Sequence, residues 1–431
     1  MILSVRPAAR LAGSVRLPGD KSISHRYALL AAIARGTSEL RHFASSQDCR
    51  STLRCIRGLG IPVFEQGETV TIEGRGLRGL TPPAAILDAG NSGTTIRLLS
   101  GILAGHPFES SITGDESLSR RPMGRILHPL RLMGASVECR AGDLPPVKVH
   151  GGRLKGVRYS LPVASAQVKS CVLLAGLYAE GSSHVEERIP TRDHTEIALG
   201  LFGAQLSRSE DWIEVQPGPD LRAQSLEIPG DLSGAAFFLV AAALVPDSVI
   251  RLDGVGLNRR RRELLDYLQK AGLDIAIGNE RDDAGERRGD LEVRYSAALL
   301  RSTLPPIQGG LVAALIDEIP ILAILGSQVA GGLEISDAQE LRIKESDRIA
   351  ALAANLHAMG AEVEERPDGL RISGGQRLAG TDIATQGDHR IAMAFAVAAL
   401  RARGETRIHK AECADVSFPG FYEALDAITT R

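Results

Sequence analysis

The chain has 431 residues, 44% of them hydrophobic and 24% charged, with a formal net charge of −2. That length exceeds what one hydrophobic core usually supports, so two domains are expected. A total charge this close to zero excludes nucleic-acid or membrane-surface binding driven by bulk charge, so any anionic ligand must be held by local clusters.

The N-terminal run Ile2-Leu-Ser-Val5 reads as a short strand, and the residues around it lack the hydrophobic core of a signal segment. Pro18-Gly19-Asp20 then opens a buried helix through Tyr27 to Ile33, with Lys21, Ser22, His25 and Arg26 in its first turns. Cations beside the bare N–H groups of a helix start favour phosphate or carboxylate, although a solvated cationic turn has the same appearance. Gly90-Asn91-Ser92-Gly93-Thr94-Thr95-Ile96-Arg97 is a second small-residue helix start, where Gly93 lets backbone approach a ligand. Arg120-Arg121-Pro122 follows a Gly-Asp turn, and a guanidinium there can fork onto a carboxylate or face water. Ser165-Ala166-Gln167-Val168-Lys169 begins a third helix with uncharged donors in its first turn. Thr191-Arg192-Asp193-His194 reads as a polar loop.

Pro229-Gly230-Asp231 repeats the first tripeptide 211 positions later and again leads into an apolar helix, Ala235 to Leu244, which is too short to span a bilayer. Here Leu232, Ser233, Ala236 and Phe237 stand where the first copy has Lys21, Ser22, His25 and Arg26. The charged stretch Gly278 to Gly289 reads as a surface loop. Asp317 lies in the apolar run Leu311 to Gly326, where a carboxylate is costly unless it caps a helix or does chemistry. Glu340-Leu-Arg-Ile-Lys344-Glu345-Ser-Asp347-Arg348 reads as a charged helix, with Lys344 and Arg348 on one face. Gly387-Asp388-His389-Arg390 opens another apolar helix, Ile391 to Leu400, and a last helix candidate runs from Pro419 to Thr429.

A period runs beneath these elements. Gly60, Gly134, Gly203, Gly272 and Gly360 each end an amphipathic segment and precede a short β-like run, at spacings of 69 to 88 residues. A sixth unit forms if Ile2–Val5 supplies the strand that the C-terminal helix lacks. No G-x-G-x-x-G follows a strand, and the period is longer than one βα unit, which excludes Rossmann and TIM-barrel folds. The five cysteines contain no C-x-x-C pair and suit reduced thiols in a cytoplasmic protein, not a disulfide framework or a zinc site.

Taken in order, PGDKSISHR, GNSGTTIR, Arg121-Pro122, ASAQVKS, TRDHTE, IDEIP, ELRIKESDR, GDHRIAMA and Ser417-Phe-Pro closely resemble the 5-enolpyruvylshikimate-3-phosphate synthase family, in the bacterial branch called class II. Each motif alone is weak; all of them in register over essentially the whole chain are specific. The resemblance implies the α/β enolpyruvyl transferase fold: two similar domains of three inverse α/β repeats each, with a cleft between them. Residues 14–228 would form one domain, and 1–13 with 229–431 the other.

The implied reaction transfers the enolpyruvyl group of phosphoenolpyruvate to the 5-hydroxyl of shikimate 3-phosphate, without metal or organic cofactor. By resemblance Asp317 is the base, Glu345 the proton donor, and Lys21 touches both substrates. Shikimate 3-phosphate would be held by Lys21, Ser22, Arg26, Ser165, Ala166, Gln167, Arg192, Asp317 and Lys344. Phosphoenolpyruvate would meet Lys21, Asn91, Gly93, Arg121, Gln167, Glu345, Arg348, His389 and Arg390, with Glu340 lining the site. Ala166 stands where some members have a second Ser, Glu340 where others have Asn, and Val416 where many have Lys. A monomer is expected, with no nucleic-acid or membrane partner, and the small space at Gly93 implies competition by glyphosate. The sister UDP-N-acetylglucosamine enolpyruvyl transferases usually carry a Cys, sometimes an Asp, in the loop around 112–122; here there is no Cys, and Asp115 fits that place poorly. A non-catalytic anion-binding paralogue is countered by intact Lys21, Asp317, Glu345, Arg348 and Arg390.

Overall fold

A computed structural model describes residues 1–431 of the chain. No helix in it is long and apolar enough to cross a membrane. The chain divides into two compact units. The C-terminal unit comprises Met1–Pro18, Pro229–Asp282 and Arg287–Arg431; the N-terminal unit comprises Gly19–Ile228 and Asp283–Glu286. The strand Arg10–Val15 pairs in parallel with Val249–Gly256, which puts residues 14 and 15 in the C-terminal unit and corrects the expected start at 14.

Three sheets in the N-terminal unit share one strand order. They are Ser225–Glu227, Arg35–Arg41, Thr69–Arg75, Val63–Gln66; then Leu87–Asp88, Glu109–Thr113, Leu144–His150, Ser136–Arg140; then Arg158–Ser160, Ser183–Glu186, Trp212–Val215, Leu206–Arg208. In each, the first pair is parallel and the next two pairings are antiparallel. The C-terminal unit repeats the order. Thr429–Thr430, Arg10–Val15, Val249–Gly256, Glu286–Arg294 and Ile275–Asp283 form its first sheet, with the order extended by one edge strand, and Leu333–Ile335, Gly369–Ile372 and Val363–Arg366 its second. In the third, Asp382–Ala384 runs parallel to Thr406–His409, and the chain's first strand, Ile2–Val5, pairs antiparallel with the latter. The last helix ends at Ala427, sooner than expected, because the β-branched Thr429–Thr430 extend to pair with Arg10 and Leu11.

The five periodic glycines explain the repetition locally. Gly60, Gly134, Gly203, Gly272 and Gly360 all have φ between 82° and 100°, the left-handed region that favours glycine. In each case the next residue's N–H donates back to a carbonyl five residues earlier, as Ile61 does to Ile56 and Leu273 to Leu268. The helix stops there and the chain turns into a strand.

Each unit has its own hydrophobic core, with the first helix of every repeat at its centre. In the N-terminal unit these are Lys21–Ile33, Gly93–Ala104 and Ala166–Gly176; in the C-terminal unit, Leu232–Leu244, Ile319–Gln328 and His389–Ala399. Leu232–Leu244 is buried along its whole length, so it reads as apolar on every face. Close approach needs small residues: a Cβ on Gly101 would lie 2.4 Å from the Cys171 carbonyl oxygen of the neighbouring helix.

The stretch Gly278 to Gly289 is not a loop. Ile275–Asp283 and Glu286–Arg294 form a long β-hairpin that turns at Ala284 and Gly285, both with positive φ. Its tip, Asp283–Glu286, is part of the N-terminal unit, where Glu286 is 1% exposed and its Oε1 lies 2.6 Å from His194 Nδ1. The charges that suggested a solvated loop include one that finds a buried partner.

Candidate active site

Lys21, Gly93, Ser165 and His389 lie at the N-terminal ends of central helices, where backbone N–H groups lack intrahelical partners, while Arg121, Arg192 and Arg348 lie just before or at the start of other helices. In the N-terminal unit, Asp20 caps Lys21–Ile33 by accepting from Ile23 N at 2.9 Å. Lys21 is held by Asp48, with Nζ 3.1 Å from Oδ2. Arg26 is buried and donates to Ser22 O (2.8 Å), Thr195 Oγ1 (2.6 Å) and Ser170 Oγ (3.1 Å), all neutral oxygens. Burial pulls its guanidinium down to about 10 against the opposing pull of Glu196, and Arg192 adds a like charge. Ser170 in turn donates to Ala166 O at 2.6 Å, so Ser22, Arg26, Ala166, Arg192 and the Ser165 cap form one polar patch.

His25 is not part of that patch. It is fully buried, and Nδ1 lies 2.6 Å from Thr52 Oγ1, which contacts Thr95 Oγ1 at 2.6 Å. Burial first, then the charges of Lys21 and Arg26, hold it well below the usual imidazole value, so it is neutral near pH 7. Its role is to tie together three helices, not to bind an anion.

Gly93 begins the second central helix beside a further cationic cluster. Arg121 is 6% exposed and donates through Nη2 to Asn91 Oδ1 (2.7 Å) and Ser117 Oγ (2.9 Å), and through Nη1 to Asn91 O (3.2 Å). It does not face water; its neighbour Arg120 does, paired with Glu116. Gln167 is fixed by Arg97 Nη1 on its Oε1 (2.7 Å) and by its own donation to Thr94 Oγ1 (3.1 Å). A Cβ on Gly93 would sit 2.7 Å from Arg97 Nη1 and 3.6 Å from Arg121 Nη1.

The C-terminal unit gathers its residues around Arg348, which is 1% exposed. Nε donates to Asp388 Oδ2 at 2.8 Å, and Nη2 to Glu345 Oε2 at 2.6 Å. Nη1 lies 3.7 Å from Asp317 Oδ1 and is buried without a hydrogen-bond partner. Burial works against the charge of Arg348, but Asp388, Glu345 and Asp317 more than offset it and raise its pKa. Arg390 donates to Asp317 O at 2.7 Å, with Nε 3.9 Å from Asp317 Oδ1. Asp317 itself lies in a turn ahead of Ile319–Gln328, whose N-cap position is Glu318; helix capping is therefore not its place. His389 is buried at the start of its helix beside Asp388.

One expectation changes here. Gln339–Ile343 is a short 3₁₀ turn and the α-helix begins only at Arg348, capped by Asp347 accepting from Ala350 N at 3.0 Å. Lys344 and Arg348 therefore do not share a helix face; Glu340 lies in the 3₁₀ turn, and Lys344 and Glu345 on the segment that follows it. Asp388 is the residue the motif reading missed. It is fully buried and also accepts from Ser346 Oγ (3.0 Å) and Arg390 N (2.9 Å), so it fixes both arginines. Its place directly before a long apolar helix was the available signal.

Residues 5–425 match the family model for EPSP synthase (3-phosphoshikimate 1-carboxyvinyltransferase). The chain belongs to the EPSP synthase family. A 3-phosphoshikimate 1-carboxyvinyltransferase of Solibacter usitatus is 51% identical over 424 residues, covering 98% of this chain and 99% of its own. The solved EPSP synthase of Acinetobacter baumannii has a TM-score of 0.86 at 41% identity, over 99% of this chain and 98% of that one. The enolpyruvyl transferase NikO of Streptomyces tendae has a TM-score of 0.80 at 19% identity, covering 99% of this chain and 97% of that one, a likeness of fold alone. The expected α/β fold of repeated units and the expected family are both borne out.

Proposed function

We infer that the two clusters act on one pair of small anions, phosphoenolpyruvate and shikimate 3-phosphate. The reaction transfers the enolpyruvyl group to the 5-hydroxyl and releases phosphate, a step of aromatic amino-acid biosynthesis. The hydroxyl oxygen bonds to C2 of phosphoenolpyruvate as C3 gains a proton, giving a tetrahedral intermediate. Loss of a C3 proton and cleavage of the C2–O bond to phosphate then yield product. In this reading Asp317 takes the hydroxyl proton, and Glu345 gives the proton to C3 and takes it back. Lys21, Arg121, Arg348 and Arg390 balance the charge on phosphoenolpyruvate, with Asn91, Gly93, Gln167 and His389 around it. Lys21, Ser22, Arg26, Ser165, Ala166, Gln167, Arg192 and Lys344 hold shikimate 3-phosphate.

The observation that carries the reading is the buried Arg348. It holds Glu345 at 2.6 Å and stands 3.7 Å from Asp317, so one guanidinium orients both proton-transfer groups. The protein acts as a cytoplasmic monomer in this reading, and glyphosate competes with phosphoenolpyruvate beside Gly93, more strongly once shikimate 3-phosphate is bound.

Phosphate release with shikimate 3-phosphate as acceptor tests the assignment. Asp317→Ala should lower turnover by about two orders of magnitude or more while shikimate 3-phosphate still binds. Near-normal turnover of that variant, or phosphate release with UDP-N-acetylglucosamine instead, would overturn it.

A further inference from the structure

Lys169 belongs to no step of the reaction, yet it is fully buried two residues beyond Gln167. Its Nζ lies 2.8 Å from Glu187 Oε1 and 2.8 Å from Glu196 Oε1. Arg208 reaches the same two carboxylates at 3.5 and 3.9 Å. Glu187 Oε1 also accepts from Thr191 N at 2.7 Å and from Thr191 Oγ1, which anchors the backbone immediately before Arg192. Glu196 follows Thr195, whose hydroxyl takes the Nε donor of Arg26.

A buried lysine facing two carboxylates is costly to maintain and calls for a reason beyond stability. Arg26 supplies one. Every hydrogen bond it makes goes to a neutral oxygen, while Glu196 is the strongest of the carboxylates acting on it. A carboxylate that turned to Arg26 would neutralise the charge an incoming phosphate needs. Lys169 and Arg208 both claim Glu196, and Lys169 does so from the dry side of the helix.

We propose that Lys169 is a positioning residue that holds Glu196, and through Glu187 the chain before Arg192, so that the charge of Arg26 remains available to the phosphate of shikimate 3-phosphate. This rests on the assignment of Arg26 and Arg192 to that substrate. Without the lysine, Glu196 becomes an internal competitor of the ligand.

Calorimetric titration of shikimate 3-phosphate into the full-length protein tests this, alongside KM and kcat and a thermal melt of each variant. Lys169→Met should weaken binding by about tenfold, within the range for coupled neighbours, and raise KM by a similar factor with little change in kcat. Adding Glu196→Gln to Lys169→Met should restore binding to within about threefold of the parent, because the competing charge is gone. A merely structural lysine predicts the opposite, since the double variant loses a second buried group. Lys169→Arg should bind like the parent. If Lys169→Met does not fold, Glu196→Gln alone decides: binding equal to or tighter than the parent supports the proposal, and a clear loss overturns it. No binding by the parent protein would instead refute the substrate assignment, whereas normal binding by both the parent and Lys169→Met would refute only the role of Lys169.

Discussion

Replacing Asp388 by Asn removes one charge from the most enclosed ion pair of the C-terminal unit while keeping its shape. Asp388 is 0% and Arg348 1% exposed, and their contacts measure 2.8 and 3.3 Å. Removing one partner of a buried pair costs about 3–5 kcal/mol; the amide oxygen can still accept, which puts Asp388→Asn near the lower end. For a unit of this size about 3 kcal/mol corresponds to a melting shift of roughly 6–12 °C. The single tryptophan, Trp212, lies in the N-terminal unit, so its emission follows that unit while far-ultraviolet circular dichroism follows both. The dichroism melt should develop an early component that Trp212 does not share.

The same variant has a pH signature. Burial, the largest single influence, raises the Asp388 carboxyl, but Arg348 and His389 together bring it below the ordinary carboxylate value. A carboxyl lowered by folding adds stability above its unfolded value of about 3.9, and that stability is lost as pH falls through the folded value. The gap between parent and Asp388→Asn should therefore be full at neutral pH and shrink below about pH 4. A melting shift under about 2 °C, or a gap that stays constant into acid, would refute the claim that this charge pair organises the unit.

Gly93→Ala should leave the melting temperature nearly unchanged, because the new methyl meets the far end of the Arg97 side chain at 2.7 Å and not backbone. It should raise KM for phosphoenolpyruvate by about an order of magnitude by displacing that guanidinium; an unchanged KM would remove Gly93 from the site. Gly101→Ala is the opposite case, since its methyl would meet the Cys171 carbonyl at 2.4 Å. It should cost about 1–3 kcal/mol of stability by denaturant titration. A thiol-reactive chromogenic reagent at pH 8 should label Cys139 first, because that thiol is only partly buried and burial, which slows a thiol by raising it, pushes it up only to about 11. Cys49, Cys55 and Cys171 should react only on unfolding, since burial raises all three further.

Much of this architecture was legible because it rests on one-residue signals. A glycine that must take positive φ at each helix end recurs visibly, and Asp20 and Asp231 announce the helices they cap. Charge placement was less legible. Lys344, Glu345 and Arg348 have the composition of an ion-paired helix, but Asp347 restarts the helix at Arg348 by capping it, and that competes with simple continuation. His25 looked like a ligand cation among Lys21 and Arg26, yet burial on this central helix begins at Ile23, which makes position 25 interior. That Lys21 would pair with Asp48 and Arg348 with Asp388 was not legible, because pairing across 27 and 40 residues depends on how repeats stack, not on local pattern.

The two Pro-Gly-Asp copies show how a duplicated scaffold divides its labour. Both lead into helices of 13 residues, capped by Asp20 onto Ile23 N and by Asp231 onto Ser233 N. In the first copy Arg26 meets only neutral oxygens, so positive charge is left for a ligand. In the second, Ser233, in the place of Ser22, bonds Glu318, which Arg261 approaches at 3.3 Å in a cluster almost sealed from solvent. Here the chain supplies its own anion. Glu318 is the residue after Asp317, so satisfying that helix start internally also pins one side of the Asp317 turn, while Arg390 holds its carbonyl. The apolar copy is thus not a silent remnant: by binding a carboxylate of its own chain it helps aim Asp317, the carboxylate proposed to take the substrate's proton.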